Sequence, residues 1–403
     1  MACRGSAWSC SSEESVERAI LWDEGRVPSP CFVVDEALLA ANAAVLDLVQ
    51  RRTGAKILLA LKGFAMWSVF PILSRARGQG PLWGACASSP HEARLAREYF
   101  GGEVHAFAAA FSDSDMQDIL TCADHITFNS FAQWRHFKPI ITACPQVIHC
   151  GLRVNPEHSE GAVPMYDPCA PGSRLGIRAA HMVGQSLEGL TGLHFHTLCE
   201  QGADALDRTL TAFEHHFGTT LAQLNWCNMG GGHHITRPGY DIDLLCRCID
   251  RVQQRYGVQV YLEPGEAVAL NTGWLVSTVL DIIEADMPTA ILDTSAAAHM
   301  PDVLEMPYRP EIIGAAAPHV KAHSYRLAGK SCLAGDVIGQ YSFDTPLNIG
   351  DRCIFCDMAH YSMVKTTTFN GLGLPSIASY QPATNTLRLH RSFGYEDFKM
   401  RLS

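Results

Sequence analysis

The stretch Lys56-Ile57-Leu58-Leu59-Ala60-Leu61-Lys62-Gly63-Phe64 decides how the rest of the chain is read. Its five consecutive apolar residues lack the alternation of a half-solvated strand, so they read as a strand buried on both faces. Lys62 stands at the C-terminal end of that strand. An amine at the mouth of an apolar barrel is poorly solvated, which favours its neutral, nucleophilic form. Taken alone, such a lysine more often simply reaches out to water. The strand ends further along the chain change that balance.

Working outward, short apolar strands are expected at 56–62, 82–86, 103–108, 124–128, 147–154, 190–196, 224–230 and 259–263. Helical stretches fall between them at 65–77, 90–99, 113–121, 130–138, 204–217 and 241–256, and 156–188 is irregular. Ser89-Pro90-His91-Glu92 and Ser112-Asp113-Ser114-Asp115 look like helix starts, with a capping side chain and early acids. Eight strands alternating with helices are the count of a closed (β/α)8 barrel, an α/β fold. An open doubly wound sheet would carry a glycine fingerprint after its first strand, and none follows here. The texture after residue 275 is β-rich and broken by turns such as Asn348-Ile349-Gly350-Asp351. The division expected is a leader and strand over 1–30, a barrel over 31–273 and a mostly β C-terminal domain over 274–403, with residues near Val27 to Cys31 completing the latter.

The chain has 403 residues, a formal charge of −10 and no basic run, which argues against nucleic-acid or anionic-membrane partners. Fifteen cysteines, an odd number scattered through apolar segments, suit reduced thiols in a cytoplasmic protein better than a disulfide framework. Residues 1–16 have no apolar core long enough for a signal peptide, and no window approaches a membrane-spanning length.

In such a barrel the chemistry sits at the C-terminal ends of strands. After Lys62, the sixth strand ends in Leu193-His194-Phe195-His196, the seventh in Gly230-Gly231-Gly232 and the eighth in Glu263-Pro264-Gly265-Glu266. Pyridoxal phosphate asks for this set: an amine for its aldehyde, glycine amides for its phosphate, a flat ring to stack on and an anion at its ring nitrogen. Lys62, the glycines, His196 and Glu263 supply them. Each signal alone is weak; their order on strand ends one, six, seven and eight makes the set specific. Cys353-Ile354-Phe355-Cys356 lacks the further ligands of a zinc site, and the neighbours His233-His234 rarely converge on one ion, so no metal is expected.

The chain is similar to the fold-type III pyridoxal-phosphate decarboxylases, the group of ornithine and diaminopimelate decarboxylases, and within it to the carboxynorspermidine (carboxyspermidine) decarboxylases. The likeness runs from Pro30-Cys31-Phe32-Val33 to Phe369-Asn370-Gly371 and is most characteristic in Ala60-Leu61-Lys62-Gly63-Phe64, His196-Thr197-Leu198-Cys199-Glu200, Asn228-Met229-Gly230-Gly231-Gly232 and Leu262-Glu263-Pro264-Gly265-Glu266. It implies a Schiff base on Lys62, stacking by His196, a ring-nitrogen partner in Glu263 and phosphate contacts from Gly231, Gly232 and Tyr361. It also implies support from Arg153, in Leu152-Arg153-Val154-Asn155. Cys356-Asp357 matches the family pair that reaches across a homodimer interface, the cysteine returning a proton and the aspartate binding a distal amine. Ornithine decarboxylase has Glu-Pro-Gly-Arg where this chain has Glu-Pro-Gly-Glu266, an anion that suits a substrate rich in amines. Asp302 is a second candidate amine partner.

The resemblance therefore implies decarboxylation of an α-amino acid with a polyamine tail, carboxynorspermidine or carboxyspermidine. Rivals are a diaminopimelate or basic amino-acid decarboxylase and a catalytically silent cofactor-binding regulator. A racemase tends to pair the ring nitrogen with arginine, whereas Glu263 stands here.

Overall fold

The computed structural model describes residues 22–161 and 164–403, so residues 1–21 of the expected leader lie outside the description. The first strand, β1 (Cys31–Asp35), runs directly into a helix, Glu36–Thr53, whose first turn is capped by the Asp35 carboxylate accepting from the Ala37 and Leu38 amides. From there β2 (Lys56–Ala60), β3 (Gly84–Ala87), β4 (Glu103–Phe107), β5 (His125–Phe128), β6 (His149–Arg153), β7 (Gly192–His194), β8 (Trp226–Asn228) and β9 (Gln259–Leu262) form a closed parallel barrel. The ring closes where β9 pairs with β2, Lys56 opposite Tyr261 and Ile57 opposite Leu262.

Alternation within β2 explains its unbroken apolar run. Ile57 and Leu59 face the helical layer, in one core with Leu39 and Leu46 of the first helix. Leu58 turns inward to Trp226 and Tyr261. The Ser89 and Ser112 starts hold: Ser89 caps Pro90–Leu95, and Ser112 with Asp115 forms a capping box on Asp113–Leu120. Two helices differ from expectation. The 65–77 stretch is only a short turn, Trp67–Val69, followed by Phe70–Leu73, because Ser74 leaves the helix to bridge to Leu82. Phe131–Thr142 runs through Pro139, held by the buried side chains Trp134, Phe137 and Ile141 along one face.

The second sheet contains β10 (Gly273–Ile283), β11 (Thr289–Leu292), β12 (His323–Gly329), β13 (Val337–Phe343), β14 (Arg352–Cys356), β15 (Ser376–Gln381) and β16 (Thr386–Arg391). Its order is β13-β12-β11-β10-β1-β15-β16, with β14 also on β10. The N-terminal contribution is thus β1 at Cys31–Asp35, just past the 27–31 stretch, and the chain crosses to the barrel at Asp35. One face of the sheet, with Phe32, Leu275 and Phe355, continues the barrel core. The other packs Cys31, Val33, Trp274, Val276 and Ile354 under Trp22. Among the described residues no helix is long and apolar enough to cross a membrane.

The floor of the barrel, at the N-terminal ends of its strands, is polar and paired. Glu103 is bonded to Lys56 and lies 3.4 Å from His105 Nε2. The His105 ring stacks on His125 at 3.9 Å.

Candidate active site

The opposite end of the barrel gathers most of the residues marked in the sequence. β2 stops at Ala60, so Lys62 lies in the turn beyond the strand and is exposed, not sheltered as the apolar run suggested. The turn makes the difference: Gly63 N–H bonds back to Ala60 carbonyl and swings the lysine over the rim. Its charge is nevertheless felt at Cys86, Glu92, His194, His196 and Cys199, which places the amine at the centre of the mouth.

β7 ends at His194, and its alternation sends His194 into the barrel while Phe195 packs outward on Phe213 at 4.6 Å. His196 follows in the loop. Burial, backed by the charges of Lys62 and Arg153, holds its imidazole well below the usual pKa, so the ring is neutral. Its orientation is fixed: Gly231 N–H donates to His196 Nδ1 at 3.2 Å, and Arg153 Nη2 donates to the His196 carbonyl at 3.2 Å. Burial lowers Arg153 only to about 10, so it remains a cation, packed over the Phe107 ring at 4.7 Å.

Glu263 is 9% exposed. Its Oε1 accepts from Asn228 Nδ2 at 2.6 Å, and its Oε2 lies 3.3 Å from His194 Nε2. Burial works to raise this carboxyl, yet His194 and the Asn228 amide hold it down at about 2. His194 itself is pushed down by burial, so the pair is a carboxylate beside a neutral ring.

The glycines bring these parts together. A Cβ on Gly231 would meet the Glu263 carbonyl at 2.4 Å, and one on Gly232, at φ +79, would meet the Leu198 carbonyl at 1.9 Å. Two of the three amides are spent inside the protein: Gly230 N–H on Asn228 Oδ1 and Gly231 N–H on His196 Nδ1. Tyr361 closes over the rim, its backbone N–H on the Gly63 carbonyl at 2.8 Å and its phenol pushed up by burial and by Glu266.

A second cluster adjoins the first. Glu266 Oε1 lies 3.2 Å from His234 Nε2 and 4.0 Å from His360 Nε2, and His360 Nε2 lies 3.1 Å from Asp357 Oδ1. Glu200 brings a carboxylate to the same group. Sequence reasoning set His234 aside as a metal ligand and passed over Glu200 and His360, although Glu200 closes the His196-to-Glu200 segment and His360 precedes Tyr361. Asp302 is elsewhere engaged: its carboxylate is bonded by Lys365, which also reaches Glu305 at 3.3 Å.

Cys356 and Asp357 part company. Cys356 shares with Ile354 the face of β14 that packs toward Trp274, opposite the Phe355 face that joins the barrel core. Asp357, at φ +57, starts the turn that follows β14 and lies against His360 in the mouth of its own chain. Among the described cysteines the exposed one is Cys332, in the turn after β12, its N–H on Asn370 Oδ1 at 2.7 Å.

A neutral ring, a buried carboxylate, an accessible amine and glycine backbone in one mouth match pyridoxal phosphate in donor chemistry. Buried polar atoms lacking a partner, His194 Nδ1 and the Thr197 hydroxyl, mark where a ligand would complete the network. Fold and site together define a vitamin-B6-type barrel with an attached β domain.

The pyridoxal-dependent decarboxylase family, C-terminal sheet domain, matches residues 31–359. The carboxyaminopropylagmatine decarboxylase of Synechocystis sp. is 47% identical over 378 residues, 93% of this chain and 96% of that protein. The carboxynorspermidine/carboxyspermidine decarboxylase of Campylobacter jejuni is 42% identical over 387 residues, 93% and 99% respectively. The crystal structure of the Campylobacter jejuni carboxynorspermidine decarboxylase complexed with norspermidine superposes with TM-score 0.85 at 41% identity, covering 93% of this chain and all 100% of that one. This chain belongs to the pyridoxal-dependent decarboxylase family, whose members are enzymes.

Proposed function

We propose that the chain removes the α-carboxylate of an amino acid carrying a polyamine tail, with pyridoxal phosphate bound through Lys62. What carries the tail is the group of carboxylates Glu200, Glu266 and Asp357 beside the cofactor residues. A mouth lined with acids draws in a polycation, whereas a diaminopimelate substrate would bring a second carboxylate against them. The relatives acting on carboxylated polyamines support this reading.

When bound, pyridoxal phosphate supplies a cationic ring that accepts the electron pair freed as carbon dioxide leaves. Lys62 would hold its aldehyde carbon and later release the amine product. Glu263 would keep the proton on the ring nitrogen, and its own ionisation, held at about 2, leaves it charged across the working pH range. His196 would lie flat against the ring, fixed by Gly231 and Arg153; Gly232 and Tyr361 would take the phosphate. Glu266 and Asp357 would bind tail amines; Asp302 would join them only on leaving Lys365.

Two tails compete within this reading: an alkyl ammonium end, as in carboxynorspermidine or carboxyspermidine, and a guanidinium end, as in carboxyaminopropylagmatine. The 47% identity to the Synechocystis protein favours testing the guanidinium first. A panel of these substrates with diaminopimelate and ornithine, read as carbon dioxide release and product mass, decides. The expected result is kcat/KM for a carboxylated polyamine at least about a hundredfold above diaminopimelate, since unpaired buried charges penalise the wrong tail. Equal or better use of diaminopimelate sinks the proposal. No turnover of any substrate by cofactor-loaded protein makes it a silent homologue.

A further inference from the structure

We propose that the mouth contains a charge-exchange pocket: His360 is the resting counter-cation of Glu200, Glu266 and Asp357, and the substrate's distal cation displaces its proton on binding. This rests on the polyamine-tail reading above and adds how the tail is received.

The geometry is compact. His360 Nε2 sits 3.1 Å from Asp357 Oδ1 and 4.0 Å from Glu266 Oε1, while Glu200, His234 and Glu266 bring single ligand atoms within 4.8 Å of one another. The Asn271 amide donates to Asp357 and fixes it. His234 is 6% exposed, and with Nε2 of each ring turned to a carboxylate, the Nδ1 atoms of His234 and His360 are buried without a partner. A buried ring nitrogen without a partner, in a pocket with more acids than cations, points to a group the pocket receives. Other groups do not fill the role: Lys365 is committed to Asp302 and Glu305. Tyr361 stands edge-on to His360 at 6.0 Å, and Tyr308 feels Asp302, Asp357 and Glu266.

Burial alone would lower the His360 pKa, but Asp357, Glu266 and Glu200 raise it to about 9. The ring is therefore charged in the free enzyme at neutral pH. An alkyl ammonium, with a pKa of about 10.4, or a guanidinium, above about 12, arrives charged as well. A second cation placed beside His360 disfavours its charged form and takes up the carboxylates that raised it, so His360 gives its proton to solvent. Affinity for the tail should then rise about tenfold per pH unit between roughly 7 and 8.5, the slope of one released proton.

The test is calorimetry of the cofactor-loaded enzyme with norspermidine, in buffers of different ionisation enthalpy, against propylamine as an amine without a tail. Norspermidine should release about one proton more than propylamine, and His360→Gln should erase that excess and flatten the pH slope of Kd. Equal proton counts in the unaltered enzyme overturn the proposal even if the variant fails to fold. An excess that survives His360→Gln overturns it too. If norspermidine binds no tighter than propylamine, the tail reading itself falls, a result distinct from tight binding without proton release.

Discussion

At the floor of the barrel Glu103 lies against the Lys56 ammonium and the His105 ring; at the mouth Glu263 lies between the Asn228 amide and the His194 ring. Both carboxyls are raised by burial and lowered by their neighbours, ending at about 2. The partners differ in kind. The floor acid has a resident cation and is complete. The mouth acid has an amide and an imidazole kept neutral by burial, and its one ion-pair contact among the described residues is that ring. A desolvated carboxylate is costly unless a positive group meets it. Among the described residues the mouth also holds most of the buried imidazole Nδ1 atoms without a partner, at His194, His233, His234 and His360, against His125 at the floor. One end stabilises the barrel; the other is built around something it receives.

The largest effect should come from Lys62→Ala. Protein incubated with pyridoxal phosphate should lose its visible-edge absorbance, and turnover should drop by at least about 10⁴-fold, because the covalent attachment is gone. Borohydride trapping should label the 56–64 segment of the unaltered chain. An adduct on another lysine would break the argument at its root.

The next pair tests the two ends directly. Glu263→Gln should keep the fold and lower kcat by about 10²–10³, the scale of losing one preorganised charge. Glu103→Gln should leave kcat/KM within about twofold and cost about 1–3 kcal/mol of stability by stripping Lys56 of its partner. The sign with pH follows. A folded pKa of about 2 against 4.5 means that Glu103 stabilises above about pH 4.5 and that this support drains away as the pH falls toward 2. The variant's urea midpoint should therefore vary less with acid than the unaltered chain's. If Glu103→Gln slows turnover as much as Glu263→Gln does, the ends do not differ as described.

Much of this was legible before any coordinates. Strand order follows from apolar runs and turn residues, and Lys62, His196, the glycines and Glu263 follow from their places at strand ends. What was not legible is directional. A run of five apolar residues says that a strand is buried but not where a turn carries the lysine after it, so Lys62 proved exposed. The pairing of Lys365 with Asp302 and the return of Asp357 to its own barrel depend on contacts far apart in sequence. His234 and His360 gain meaning only from the carboxylates that surround them.

The same limit applies to the expected proton donor, and there exposure separates two cysteines. In β14 the residues alternate, so Cys356 must share the Ile354 face, against the Trp274 cluster. A thiol that returns a proton to substrate has to come within hydrogen-bond reach of it, which for a cysteine of the β domain means a second copy's mouth. Cys332, exposed on the turn after β12, is free to make that approach, and we propose it as the donor. Cys332→Ala should then slow product formation by about ten- to hundredfold, below the usual span for a general acid because water can substitute, and should divert part of the turnover to the wrong product. Cys356→Ala should act mainly through packing, with a lower Tm and near-normal product identity. A normal rate in Cys332→Ala, with misdirected product in Cys356→Ala, would restore the assignment read from the sequence and would require the packed face of β14 to open toward a partner subunit.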